Sequence, residues 1–253
     1  MKKGEFYSVG VGPGDASLMT FKAAETIRKC DVIISPDSGG KESVALGIAA
    51  EYIKGKRVEF CPMPMTKDEK MLGESHAAAA ARIAKLLDEG LSAAFLTLGD
   101  PAVYSTAMYV HRRLKEMGYV TAMVPGVTSF CAAAAALDVA LCEGSEPMHI
   151  IPASYGGGYQ ELDGTKILMK SGKARDAVLA GLKDRAGSEV FMVRRASMPD
   201  EAVFRSIDEI DGDTDYFSIF VVKHNARTAR QSPACAAVSL PASPEPRNME
   251  KHK

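Results

Sequence analysis

The sequence predicts an α/β protein of two domains, the first built on a mostly parallel sheet and the second on a mixed sheet. Three observations carry that reading. Apolar, β-rich runs alternate with helix-period runs as far as Leu137. Three glycine-bearing turns each close a strand: Val9-Gly10-Val11-Gly12-Pro13-Gly14-Asp15, Leu98-Gly99-Asp100-Pro101 and Val124-Pro125-Gly126-Val127-Thr128-Ser129. After Glu143-Gly144-Ser145-Glu146-Pro147 the pattern changes to strands with few helices.

Residues 5 to 12 form the first strand, and Leu18, Phe21, Ala24 and Ile27 then stand at helical spacing over 18 to 30. A strand at Asp31 to Ser35, a helix from Glu42 to Ile53, a strand at Arg57 to Cys61 and a helix through His76 to Leu87, stopped by Gly90, follow. Strands at 92 to 98 and 119 to 124 flank a further helix, and an alanine-rich helix comes next at 132 to 137. Alternation of this kind with right-handed crossovers makes a largely parallel sheet covered on both faces. Beyond the Gly/Ser/Pro segment, strand-like runs lie at His149 to Pro152, Lys166 to Lys170, Glu189 to Arg194, Ala202 to Ser206 and Tyr216 to Lys223, with one helix at Ala174 to Leu182. The expected domains are therefore 1–143 and 144–231. The stretch 232–253, with small residues and repeated prolines but no periodicity, is expected to be disordered.

Composition narrows the function classes. The chain has 253 residues, 46% hydrophobic and 25% charged, enough to bury a full core. Its 31 Lys and Arg against 32 Asp and Glu leave a net charge of -1, without the overall basic bias of a nucleic-acid binder. No run approaches the ~18 apolar residues of a membrane span, and Met1-Lys2-Lys3-Gly4-Glu5 is no apolar leader, so the expected location is the cytoplasm. The five cysteines, Cys30, Cys61, Cys131, Cys142 and Cys235, are widely spaced, with no Cys-x-x-Cys and no nearby paired His. They predict neither a disulfide framework nor a metal site, and read as mostly small buried apolar residues.

The glycine turns sit where α/β proteins put ligands, at the carboxyl ends of parallel strands. A dinucleotide fingerprint fits the first turn in part, since Asp37 lies at the expected distance downstream. In Gly10-x-Gly12-x-Gly14, however, the third glycine comes one place early, and Asp15 would aim a carboxylate where a pyrophosphate should sit. Asp15 serves equally as a helix cap. At the second turn Asp100 is either an acceptor for an ammonium or ribose hydroxyl, or a cap for the next helix. Thr128 and Ser129 carry the same two readings, and two such turns at successive strand ends favour a shared ligand crevice.

Four segments, Gly10 to Asp15, Leu98-Gly99-Asp100-Pro101-x-Val103-Tyr104-Ser105-Thr106, Val124 to Ala134 and Cys142 to Ala153, resemble the tetrapyrrole (corrin/porphyrin) methylases. The resemblance covers about residues 5 to 225. Tyr104-Ser105-Thr106 with Cys142-Glu143-Gly144-Ser145 is most similar to the branch that methylates carbon 20 of precorrin-2 or cobalt-factor II. It implies a class III methyltransferase-like pair of α/β domains, with S-adenosylmethionine in the cleft between them, held mainly by backbone atoms and by no metal. A tetrapyrrole substrate and a homodimer are also implied. The implied cofactor contacts are Pro13, Gly99, Asp100, Val103, Thr128 and Ser129 from the first domain, and Met169, Ala196, Phe217 and Ser218 from the second. Arg194 departs from the acidic residue that many relatives carry there.

Methyl transfer from a sulfonium asks little of a protein beyond alignment, so no nucleophilic triad is expected. If a proton must leave the macrocycle, Asp15, Tyr104 and Glu143 are the candidate bases, although the same residue types commonly cap helices or line hinges. His111 and His149 read as lone histidines satisfied locally. Lys41, Arg112, Arg113, Arg194 and Arg195 are candidate anchors for substrate carboxylates. Alanine-rich stretches at 77 to 84 and 132 to 136 allow the close packing of a dimer, or of the chain with itself. A nicotinamide-dependent oxidoreductase and a noncatalytic tetrapyrrole carrier are the competing classes, weakened by the misplaced glycine and by the lack of a metal-ligand cluster.

Overall fold

Strand β1 (Phe6–Gly10) turns Phe6 and Val9 to opposite faces, and helices cover both. A computed structural model of the chain describes residues 2–37, 43–64, 66, 68–155, 158–172, 175–183, 188–210 and 216–224. Lys41, Cys235 and the stretch 232–253 lie outside the described residues. With β2 (Val32–Asp37), β3 (Arg57–Pro62), β4 (Ala93–Thr97) and β5 (Thr121–Val124), the first strand forms an all-parallel sheet in the order β3-β2-β4-β1-β5. Burial on both faces explains the unbroken apolar run Ala93-Ala94-Phe95-Leu96. Helices α1 (Phe21–Lys29) and α2 (Val44–Ile48) cover Val9, Ile33 and Leu96, whereas α3 (Glu69–Asp88) and α4 (Ala107–Glu116) cover Phe6, Ile34 and Phe95.

Two helices differ from expectation for local reasons. In α3 the first turn begins well before His76, because the Asp68 carboxylate accepts hydrogen bonds from the Lys70 and Met71 amides at 2.9 and 3.1 Å. By contrast α2 stops at Ile48, where the Ala49 amide bonds both Ala45 and Gly47 carbonyls and tightens the chain into turns. The small side chains of Ala79, Ala80 and Ala84 are buried within this chain, in the cluster that holds α4.

The second sheet is mixed, in the order β6-β7-β10-β8-β9. Its strands are β6 (Met148–Pro152), β7 (Thr165–Met169), β8 (Ser188–Arg194), β9 (Ala202–Phe204) and β10 (Ser218–His224), with only β6 and β7 parallel. On one face α6 (Arg175–Lys183) packs Val178 and Leu182 against Leu168, Met192 and Phe220. The other face is covered by α5 (Ser129–Leu137), which follows the last strand of the first sheet yet packs Phe130, Ala133 and Leu137 against Ile167, Val193, Ile219 and Val221 of the second. Arg205 fastens its end by donating from Nη1 to the Leu137 carbonyl at 2.6 Å. In the link between the sheets, Glu146 Oε1 accepts from the Thr165 hydroxyl at 2.8 Å, and Oε2 faces Lys223 at 3.8 Å.

Cys30 and Cys61 are buried, but Cys131 on α5 and Cys142 on the link are exposed, so the expectation of mostly buried cysteines is corrected to half of the four described. Among the described residues no helix is long and apolar enough to cross a membrane, and no group of three His, Cys, Asp or Glu side chains is placed to hold a metal ion.

Candidate active site

Strands β1 and β4 are neighbours, yet β1 leads into α1 on one face and β4 into α4 on the other. Such a switch point leaves an opening beyond the strand ends. Two of the predicted turns meet there: the Gly99 amide donates to the Gly12 carbonyl at 2.7 Å, and the Gly12 amide to the Gly99 carbonyl at 3.3 Å. Gly99 has a φ of +72°, which a side chain rarely adopts. The third turn crosses the same point. A Cβ on Gly10 would stand 2.5 Å from the Gly99 carbonyl oxygen and 2.7 Å from the Gly126 nitrogen, so the backbones touch only because Gly10 and Gly126 lack side chains.

Asp100 binds these turns together. Its Oδ1 accepts from the Ala102 amide at 2.7 Å and its Oδ2 from the Gly126 amide at 2.9 Å. The following helix takes nothing from it: Thr106 holds its cap position without a side-chain bond, and the Ala107 amide donates to Ser105 Oγ at 3.1 Å. Thr128 holds the cap position of α5, but its hydroxyl donates to Cys131 Sγ at 3.2 Å and caps nothing. Thr128 and Ser129 lie beside Gly99, whose added Cβ would be 3.9 Å from the Ser129 nitrogen. Pro13 is buried in the first turn. Asp15 caps the short turn Ala16–Leu18 by accepting from the Ser17 amide at 2.7 Å, and that bond holds its carboxyl below the usual range. The first long helix has its own cap, Thr20.

The second sheet brings its candidates to the same place. Met169 ends β7, Arg194 ends β8, and Ser218 begins β10 opposite Arg194. The Arg195 amide donates to the Phe217 carbonyl at 3.2 Å. Ala196, Met169 and Val103 join the apolar cluster under α5. Three bonds then cross between the sheets: Asp15 N–H to Ser197 Oγ at 3.2 Å, Tyr104 OH to the Ile150 carbonyl at 2.7 Å, and Lys170 Nζ to the Tyr104 carbonyl at 3.1 Å. Burial raises the Tyr104 phenol pKa and lowers that of the Lys170 ammonium. Among the described non-glycine residues, those with positive φ are Tyr104, Asp138, Lys170, Arg195 and Ser197, and all but Asp138 are at this junction. Backbone strain gathered in one spot marks functional sites.

Other sequence candidates either sit apart from it or, like Arg194 and Arg195, are engaged with neighbouring side chains. Glu143 is exposed, and its amide, not its carboxylate, is engaged, with Glu146. Arg112 lies over the Tyr109 ring, and Arg113 ties α4 to the Gly73 carbonyl of α3 at 3.4 Å. Arg195 pairs with Asp200 at 2.6 Å, and the Arg194 guanidinium lies 5.4 Å from the centre of the Phe204 ring. His111 is buried against Ser8 Oγ at 3.0 Å, and His149 is half-buried on β6. Sequence reasoning missed Lys170, because a lysine directly after an apolar strand reads as a solvated strand end. Ser197 was likewise indistinguishable from a loop serine.

A parallel sheet with glycine turns at its switch point, joined to a mixed sheet, is the architecture of the class III methyltransferases. Residues 5–211 match the model of the Tetrapyrrole (Corrin/Porphyrin) Methylases, and the chain belongs to that family. It is 38% identical over 226 residues to the "Probable cobalt-precorrin-2 C(20)-methyltransferase" of Methanocaldococcus jannaschii, covering 87% of this chain and 96% of that one. It is 30% identical over 234 residues to the "Cobalt-precorrin-2 C(20)-methyltransferase" of Salmonella typhimurium, with 87% and 96% covered. In fold it is similar to the uroporphyrin-III C-methyl transferase of Thermus thermophilus solved with S-adenyl homocysteine, at a TM-score of 0.64 and 19% identity over 89% of this chain and 100% of that one.

Proposed function

We propose that this chain transfers a methyl group from S-adenosylmethionine to carbon 20 of precorrin-2 or cobalt-factor II in cobalamin biosynthesis. The observation that carries the reading is the convergence of three glycine turns from one sheet and three strand ends from the other at a single junction. In the proposal Pro13, Gly99, Asp100, Val103, Thr128, Ser129, Met169, Ala196, Phe217 and Ser218 hold the cofactor. The donor set suits that group: backbone at glycines where a Cβ would intrude, the three hydroxyls of Thr128, Ser129 and Ser218, an apolar wall of Val103, Met169 and Ala196, and a carboxylate already engaged by two amides. Bound there, S-adenosylmethionine supplies an electrophilic sulfonium methyl.

The chain's own part is to orient and to exclude water. The reciprocal Gly12–Gly99 bonds and the Asp100 bridge hold the turns rigid, so alignment costs no reorganisation at the moment of reaction. Neutral carbonyls and hydroxyls tolerate a cationic sulfur without trapping it. Asp15, with its carboxyl held low, and Tyr104, with its phenol raised and donating to Ile150, are both poorly tuned to take a proton near neutral pH. Glu143 is exposed and sits apart from the junction, so none of the three candidate bases is both placed and tuned to take that proton. The domain limits 1–143 and 144–231 belong to the proposal with one amendment, that α5 moves with the second sheet it covers. A homodimer is included, supported by the exposed Val120 and Met123 along edge strand β5. So is a cytoplasmic location, consistent with four free cysteines among the described residues.

Calorimetry tests the reading. S-adenosylhomocysteine should bind and NADH should not, and turnover of precorrin-2 should separate an enzyme from a carrier. Binding of NADH without S-adenosylhomocysteine would replace the methyltransferase by an oxidoreductase.

A further inference from the structure

Lys170 stands one residue beyond β7, half-buried where the two sheets meet. Its φ is 55° and that of Tyr104 is 48°, and these two residues touch: the Lys170 ammonium donates to the Tyr104 carbonyl at 3.1 Å and lies 5.7 Å from the centre of the Tyr104 ring. Nothing anionic answers it. Among the described residues no carboxylate pairs with Lys170, and burial alone lowers its pKa. The cation at the same junction, Arg195, is already matched by Asp200 at 2.6 Å. The next residue repeats the pattern, since Ser171 is 1% exposed and its hydroxyl has no hydrogen-bond partner.

A half-buried ammonium without a counter-charge, next in sequence to a buried hydroxyl without a partner, costs stability at both groups. Two touching residues in left-handed backbone add strain at the same spot, as ligand clamps do. A ligand that brings an anionic acceptor answers both polar groups. We propose that Lys170 and Ser171 form a carboxylate-binding site that the ligand completes. The site was absent from the arginines and lysines that sequence alone offered as anchors. The inference rests on the proposed function, which offers two sources of that group: a side-chain carboxylate of the tetrapyrrole, or the amino-acid carboxylate of the methyl donor.

Lys170→Met keeps the length of the side chain and removes its charge, whereas Lys170→Arg keeps the charge. Affinity for S-adenosylhomocysteine is read by calorimetry, and the KM for precorrin-2 by turnover. Loss of a charge-assisted bond should weaken one ligand about 10- to 100-fold in Lys170→Met, with Lys170→Arg within about threefold of wild type. A raised KM with unchanged S-adenosylhomocysteine affinity assigns the carboxylate to the tetrapyrrole; weakened S-adenosylhomocysteine assigns it to the methyl donor. Unchanged binding of both ligands in folded Lys170→Met overturns the inference, as does a folded Lys170→Arg as impaired as Lys170→Met. If Lys170→Met does not fold, Ser171→Ala decides, since weaker binding of one ligand supports the site and unaltered binding of both rejects it. Failure of the wild type to bind S-adenosylhomocysteine would instead sink the proposed function.

Discussion

Replacing Gly10 by alanine should damage the protein out of proportion to one added methyl group. The new Cβ would lie 2.5 Å from the Gly99 oxygen, 2.7 Å from the Gly126 nitrogen and 2.9 Å from the Gly126 Cα. The first of these is about 0.9 Å short of the 3.4 Å at which ordinary contact begins. All three atoms are backbone, fixed by the Gly12–Gly99 bonds and the Asp100 bridge, so no side chain can swing aside. Overpacking a rigid site costs about 3 kcal/mol. For a chain of this size that lowers the melting temperature by about 6 to 12 °C. S-adenosylhomocysteine affinity should fall with it, because the displaced turns are the proposed cofactor site. Gly73→Ala is the control, since its Cβ meets nothing within 4 Å inside α3 and should stabilise by about 0.5 to 1 kcal/mol. Thermal denaturation and calorimetry on both variants decide the matter. A Gly10→Ala protein that melts with the wild type and binds S-adenosylhomocysteine fully would refute the argument that the three turns are locked backbone to backbone.

Other outcomes follow from the same geometry. Asp100→Ala strands the Gly126 amide and should cost about 1 to 3 kcal/mol by denaturant titration, with Asp100→Asn recovering part of it. Arg205→Met frees the last carbonyls of α5 and should cost about 1 to 2 kcal/mol, read from the denaturation midpoint; no loss would mean that this link does not hold α5 in place. Burial pushes the Cys30 thiol up to about 12, so peptide mapping after alkylation at pH 8 should find Cys131 and Cys142 modified and Cys30 intact. Burial, with Lys115 adding to it, lowers His111 below the ordinary 6.5. The unfolded chain therefore takes up a proton that the fold refuses, so this stability is full above about pH 6.5 and is lost as pH falls through that value towards the lowered one. Calorimetric melts from pH 7.5 to 5 should show a shallower pH dependence in His111→Gln.

What the sequence made legible is what depends on residue type at a fixed spacing. Glycines 10, 99 and 126 lie at or near the ends of apolar runs, and their crossing needs no Cβ at Gly10 and Gly126 and a positive φ at Gly99, so the turns could be read in advance. The destination of α5 could not, because a run of alanines packs equally well on either sheet and carries no directional signal. The early start of α3 depends on the Asp68 cap rather than on hydrophobic period, since Glu69 and Lys70 are both polar. Asp100 was recognised as important but not for its bridge, which joins residues 26 positions apart. The Tyr104–Lys170 contact joins two residues whose unusual backbone no propensity predicts.

The central claim is regiochemical, and one labelling measurement reaches it. The protein is incubated with S-adenosylmethionine carrying a carbon-13 methyl and with precorrin-2 or its cobalt form, and the product is read by carbon NMR. The account predicts a single labelled methyl on the meso carbon 20. A labelled methyl on any other ring carbon, or an unlabelled macrocycle from protein that binds both ligands, would contradict it.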